Sequence, residues 1–229
     1  MRWIPFTLAA ALACAPLAAE DERNKTVERL DDAASLFSEV MATPDRAIPQ
    51  ALLNRSYCIV LVPGLKKAAV VVGGKYGRGF AVCRAAGGEG WGPPAAIRIE
   101  GGSFGVQIGY SSSDVVLLVM NQGGMKRLTR SKFTIGAEAT AAAGPVGRSA
   151  TAQTDALMTA EILSWSRSRG LFGGVSLDGA TLRNDLDENK ALYGQPWTSK
   201  QILTSGAKPI AAADKLLQVL SKYSPRRET

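Results

Sequence analysis

The sequence predicts an α+β fold: a β-rich, curled antiparallel sheet, barrel- or sandwich-like, with an N-terminal helix and C-terminal helices packed on it. Three observations carry that expectation. Between Ile97 and Ile108 apolar residues alternate with polar or small ones, the period of half-buried strands. Asp114 then leads into Val115 to Met120, a run with enough β-branching to read as a fully buried strand. Glycine makes up 24 of the 229 residues and is threaded through these patterns. It is kept where backbones approach closely or a strand bends sharply, so the sheet is expected to curl.

In chain order, Met1 to Ala19 reads as a secretory leader. Arg2 starts it, Ile4 to Leu17 is almost wholly apolar, and Leu17-Ala18-Ala19 before Glu20 suits a signal peptidase. The stretch is short and alanine-rich for a membrane span. Cys14 offers the rival of a lipidated N-terminal cysteine. A lipobox places leucine three residues earlier, where Ala11 stands, so cleavage near Ala19 is preferred. Either route takes the protein out of the cytoplasm, to a periplasmic or secreted location. Residues 20–229 then form one domain, with no internal repeat or long linker.

From Asn24, a candidate cap, Val27, Leu30, Ala34, Phe37 and Met41 recur at helical spacing. Pro44-Asp45 opens a short helix through Leu52 and Leu53. Tyr57 to Val62, Ala68 to Val72 and Gly79 to Arg84 read as strands, and Ala85 to Pro94 as a loop. Past the central run, Asn121 to Gly124 has turn chemistry and Lys126 to Lys132 reads as a basic connection. Phe133 to Ala139 alternates again, and Ala141 to Pro145 breaks the alternation. Ala160 to Trp165 and Leu171 to Leu182 read as the final strands. Asp185 to Tyr193, Pro196 to Leu203 and the segment opened by Pro209 read as helices, and Ser224 to Thr229 as a frayed tail.

Composition is that of an ordinary globular protein, 46% hydrophobic and 21% charged. The net charge of +7 favours anionic partners. Without the leader two cysteines remain, Cys58 and Cys83. An oxidising compartment would allow a disulfide between them. Their places in apolar strand-like runs favour two separately buried thiols.

Catalytic patterns fail on their own chemistry. Gly101-x-Ser103-x-Gly105 fits a nucleophile elbow, but that serine needs a base, normally histidine, and the chain has none. Ser205-x-x-Lys208 lacks the companion motifs of serine-lysine enzymes. Around Gly73 to Gly79 the glycines lack the spacing of a P-loop. Asp185 to Asn189 resembles half a calcium loop, but Lys190 and Pro196 stand where glycine and glutamate are required. No enzyme activity, metal or cofactor is expected.

Basic segments carry more. Lys126, Arg127, Arg130 and Lys132, flanked by Met125, Leu128 and Phe133, are expected at the surface, where they suit an anionic interface. Each cation near a charged bilayer is worth about 1 kcal/mol, so four give millimolar affinity at best and need apolar insertion or multivalency besides. Lys66, Lys67, Lys75 and Arg78 form a second candidate group.

Several ordered stretches also resemble a known family. Gly73 to Gly79, Gly101-Gly102-Ser103-Phe104-Gly105-Val106-Gln107-Ile108-Gly109, Asp114, Met120-Asn121, Lys132-Phe133-Thr134-Ile135-Gly136, Ala142-Ala143-Gly144-Pro145-Val146-Gly147-Arg148 and Ser168 to Leu177 resemble the SYLF domain family, over most of the chain. The resemblance implies a lipid-binding module, with phosphoinositide and actin binding in eukaryotic relatives. The expectation is therefore non-enzymatic binding of anionic phospholipid at a bacterial cell envelope. An envelope structural protein that self-associates without a lipid ligand is the alternative. Nucleic acid is disfavoured by the lack of interleaved exposed aromatics, and actin by export.

Overall fold

The computed structural model describes residues 15–42, 47–69, 72–104, 109–147, 159–168, 171–204 and 207–228. Helix α1 (Ala15–Ala42) and the short α2 (Gln50–Arg55) lead into four long strands, β1 (Cys58–Ala69), β2 (Val72–Cys83), β3 (Ala95–Phe104) and β4 (Gly109–Val119). Then come α3 (Gln122–Leu128), β5 (Lys132–Thr134), β6 (Ala141–Ala143), β7 (Ile162–Ser168), β8 (Leu171–Gly174) and β9 (Thr181–Asn184). Helices α4 (Leu186–Tyr193), α5 (Ser199–Thr204) and α6 (Asp214–Tyr223) close the chain, α6 being entered through a 3-10 turn at Ala211–Ala213.

The strands form one curled sheet in the order β5-β9-β3-β2-β1-β4-β7-β6, with β8 also on β7. Period two sorts its side chains into two cores. Ile59, Leu61, Phe80, Val82, Val116, Leu118, Leu163 and Trp165 pack under Leu30, Ala34 and Phe37 of α1 and Leu216 and Leu220 of α6. The residues between them, Val60, Val62, Ala81, Ile97, Ile99, Val115 and Leu117, meet Leu128, Phe133, Ile135 and Leu182 on the other face. Each such side chain fully buried is worth about 1.5–3 kcal/mol. Burial on both faces is why β1 and β4 read as unbroken apolar runs rather than alternations.

The curl depends on missing side chains. Register shifts between Leu61 and Lys66 against β2 and between Val62 and Leu65 against β4, a bulge at Pro63-Gly64. Opposite it, a Cβ on Gly79 would stand 2.0 Å from the Leu61 carbonyl oxygen. Only glycine lets the two backbones come this close.

Several expectations need correction. Helix α1 begins at Ala15, so Asn24 lies inside it and caps nothing; alanine-rich sequence continues a helix readily. The break at Pro44-Asp45 lies outside the described residues. Asn121 to Gly124 is a helix start: the Asn121 side chain accepts from the Gly124 amide at 2.9 Å, and α3 takes in Lys126, Arg127 and Leu128 from the start of the expected connection. The alternation from Phe133 is cut at Gly136, whose φ of +83° turns the chain. Ala141–Ala143 is a strand and pairs parallel with β7, so the sheet is mixed, not wholly antiparallel. Leu171 to Leu182 holds two short strands divided by a turn at Asp178-Gly179.

Cys58 and Cys83 stand directly opposite each other on β1 and β2 and are joined in a disulfide. This overturns the favoured reading of two separate thiols. A spacing of 25 residues shows nothing of pairing until the hairpin register is known. The tail is not frayed either. Ser224 is buried, the Gly90 amide donates to Pro225 O at 2.6 Å, the Arg227 amide to Gly88 O at 2.7 Å and the Glu228 amide to Asn54 O at 2.9 Å.

Candidate functional site

Strands β1 and β2 make one ribbon with two unlike ends. The root carries the disulfide, with Tyr57 and Arg84 beside it. At the far end Lys66, Lys67, Ala68 and Ala69 face Tyr76, Lys75, Gly74 and Gly73 in turn. On the other side of β1 the same residues face Ser112, Ser111, Tyr110 and Gly109.

Strand parity places Lys66 and Tyr76 on one face of this end, and Lys67 and Lys75 on the other. Lys66 is exposed, and Lys67 and Lys75 are half-buried. None of the three forms an ion pair among the described residues. Lys75 donates only to the Asp178 carbonyl, at 3.3 Å. Its aliphatic stem lies over Gly101, where a Cβ would come within 2.6 Å of Lys75 Cε. Burial, and then the charge of Lys67, hold the Lys75 ammonium below its usual value, against the opposing pull of Asp178.

Apolar side chains are exposed at the same end: Tyr110 at 66%, Tyr76 at 43% and, on β8, Leu171 at 68%. In register with Tyr110, on the β1 side, stand the small residues Ala68, Gly74 and Gly102. Large exposed apolar groups beside cations with no counter-ion are informative where scattered surface lysines are not.

The other sequence-predicted residues are placed differently. Arg127 on α3 donates to Glu161 at 2.8 Å, and the same carboxylate accepts from the Thr140 amide at 3.1 Å. Arg130 approaches Glu138 at 3.7 Å. Lys126 and Lys132 are exposed. Lys132 ends a cross-strand row running through Arg183 and Arg98 to Arg78, in which Arg98 and Arg183 share Glu100 at 2.8 and 3.1 Å. The four cations of this segment therefore do not form one free surface.

Arg78 does not belong with the lysines. Its guanidinium reaches Asp185 at 3.1 Å, Glu188 at 3.3 Å and Glu22 at 3.3 Å, and Arg29 also pairs with Glu188. Asp185 and Glu188 are fully buried, so this cluster clasps α1 and α4 to the sheet. Burial disfavours the Arg78 charge, yet Asp185, Tyr76 and Glu188 hold it above the ordinary arginine value. Among the described residues no group of His, Cys, Asp or Glu could hold a metal ion. The Ser103 side chain and residue 205 lie outside the described residues.

Known proteins resemble this sequence. The Ysc84 family, described as Las17-binding protein actin regulator, matches residues 100–223, more than half of the chain. This chain is a Ysc84-family protein. That is the SYLF family which the glycine-rich motifs resemble. LAS seventeen-binding protein 3 of Saccharomyces cerevisiae is 33% identical over 179 residues, covering 77% of this chain and 39% of that protein. Protein YSC84 of the same yeast is 32% identical, covering 77% and 38%. Human SH3 domain-containing YSC84-like protein 1 is 29% identical over 195 residues, covering 84% and 56%. The chain thus spans roughly two-fifths to a little over half of these relatives.

Sequence reasoning missed Tyr110 and two arginines at the root, Arg84 and Arg227. Tyr110 stood in a serine-rich stretch with no pattern of its own. Arg227 was assigned to the tail, and only the tail's docking brings it to Arg84.

Proposed function

We propose that this Ysc84-family domain binds anionic phospholipid peripherally and without catalysis, at a bacterial cell envelope, and meets the bilayer end-on through the far end of the β1–β2 ribbon. One observation carries the reading: among the described residues Lys66, Lys67 and Lys75 form no ion pair, at the end where Tyr76, Tyr110 and Leu171 are exposed. An end-on approach brings lysines from both faces to the headgroups. Three cations contribute about 3 kcal/mol, only millimolar affinity, so the apolar side chains supply the remainder by insertion. The leader read in the sequence supports an envelope location. On α1 the buried residues among those described begin at Thr26, beyond a cleavage before Glu20.

The test is cosedimentation with phosphatidylglycerol vesicles at low and physiological salt. Lys66→Glu with Lys67→Glu replaces two attractions by two repulsions, about 4 kcal/mol or close to a thousandfold in affinity, with the melting temperature unchanged. Unchanged sedimentation overturns this surface. The family's description points instead to Las17 and actin regulation, and a purified-actin arm tests the actin part of it. Pelleting without vesicles would favour self-association.

A further inference from the structure

The root end holds a cavity of about 520 Å³ between the β2–β3 loop, α3, α5 and the C-terminal tail. Two arginines line it, Arg84 and Arg227. The Arg84 guanidinium lies 3.8 Å above the Trp91 ring and that of Arg227 3.7 Å above Tyr57. Stacking on aromatic faces fixes both planes.

Neither guanidinium forms an ion pair among the described residues. Arg84 donates to neutral oxygens alone: Ser224 O at 2.6 Å, Leu53 O at 3.2 Å, Ser56 O at 3.4 Å and the Ser224 hydroxyl. Those bonds occupy four of its five N–H groups and leave its charge uncancelled. Arg227 is less engaged, and its buried Nε has no hydrogen-bond partner. Burial and the Arg227 charge push the Arg84 guanidinium down to about 10. Two cations held together without a counter-ion favour an anion between them.

Most of the remaining wall is apolar, including Met125, Ile202, Leu203, Pro93 and Pro209. A small inorganic anion would leave that surface uncovered. The volume lies in the range of small-molecule sites. We infer that this cavity binds a single-chain anionic amphiphile, its carboxylate or phosphate head on Arg227 and Arg84 and its chain along Met125, Ile202 and Leu203. The site is at the opposite end of the ribbon from Lys66 and Lys67 and does not depend on the proposed membrane contact.

Trp91 provides the signal, as fluorescence change in titrations of the whole protein with probes kept below micelle formation. Laurate and dodecyl phosphate should bind. Dodecyltrimethylammonium, with the same chain and opposite charge, and inorganic phosphate, with no chain, should not. Arg227→Ala should weaken the two anionic probes by about tenfold or more, the loss of one charge-assisted contact. Leu203→Trp should also block the chain without touching either charge, read by competition with a fluorescent fatty acid because it adds an indole. Both variants should melt near the wild type, and Lys66→Glu with Lys67→Glu should leave this binding intact. Equal binding of the cationic probe, binding of phosphate as tight as that of dodecyl phosphate, or indifference to both Arg227→Ala and Leu203→Trp would overturn the site.

Discussion

The two ends of the β1–β2 ribbon share a sheet and a cationic composition but differ in what their cations already hold. At the root, Arg84 is fixed by four carbonyl and hydroxyl contacts, Arg127 by Glu161, and the strands by a disulfide. At the far end, among the described residues, Lys66 and Lys67 form no ion pair and Lys75 donates to a carbonyl. A count of positive charges ranks the α3 segment first, with four in seven residues. Ranking by engagement reverses that order, because a cation already paired in the folded state must lose its partner before it can meet a headgroup.

The sharpest way to break the comparison is Arg78, which the sequence groups with the lysines and the structure assigns to the α1–β2–α4 clasp. Arg78→Met leaves Asp185 without its ion-pair partner in a fully buried position. Stability should fall by about 3–5 kcal/mol, while vesicle affinity of the folded fraction stays near wild type. Chemical denaturation and cosedimentation on the same samples separate the two effects. If Arg78→Met weakened binding and left the melt alone, Arg78 would rejoin the membrane surface.

Replacing the root disulfide is next in size. Cys58→Ala with Cys83→Ala should cost about 2–4 kcal/mol, read by denaturation. Binding through the far end should survive, since the lysines are separated from the disulfide by the bulge at Pro63-Gly64. Arg127→Glu follows. It sets a carboxylate against Glu161, which is only 14% exposed, so a loss of about 1–3 kcal/mol in stability is expected with little change in vesicle binding. The sequence alone, placing Arg127 at the surface, implies the opposite pattern.

How much of this was legible follows from the range of the interactions involved. Strand alternation and helix periodicity are local, so the sheet, α1 and the terminal helices could be read from residue order. Val115 to Val119 announced a doubly buried strand by composition alone. The disulfide, the parallel β6–β7 pair and the docked tail depend on contacts between segments distant in the chain. Nothing in Ser224 or Arg227 reveals that Arg84 and Asn54 will meet them. The site was half legible for the same reason: lysine positions are visible in the sequence, but which of them lack a carboxylate neighbour is fixed by register.

The finest test concerns Lys75, whose ammonium sits below the ordinary lysine value of 10.5 because it is partly buried and, after that, because Lys67 is near. Its folded-state value lies below its unfolded one, so between the two the unfolded chain binds more protons. Stability of the free protein therefore rises with pH across that window. Vesicle binding must move the other way. An anionic surface favours the charged ammonium, and Lys75 loses its charge earlier than a fully solvated lysine would. Phosphatidylglycerol does not titrate in this range, so the loss belongs to the protein. From about pH 8 to about pH 10 the wild type should gain a little in melting temperature and lose vesicle affinity. Lys75→Gln should flatten both slopes, with weaker binding at pH 8 by about the worth of one cation, roughly fivefold. If wild type and Lys75→Gln kept parallel binding curves over this range, Lys75 would not face the bilayer, and the contact would be confined to the Lys66 face of the ribbon.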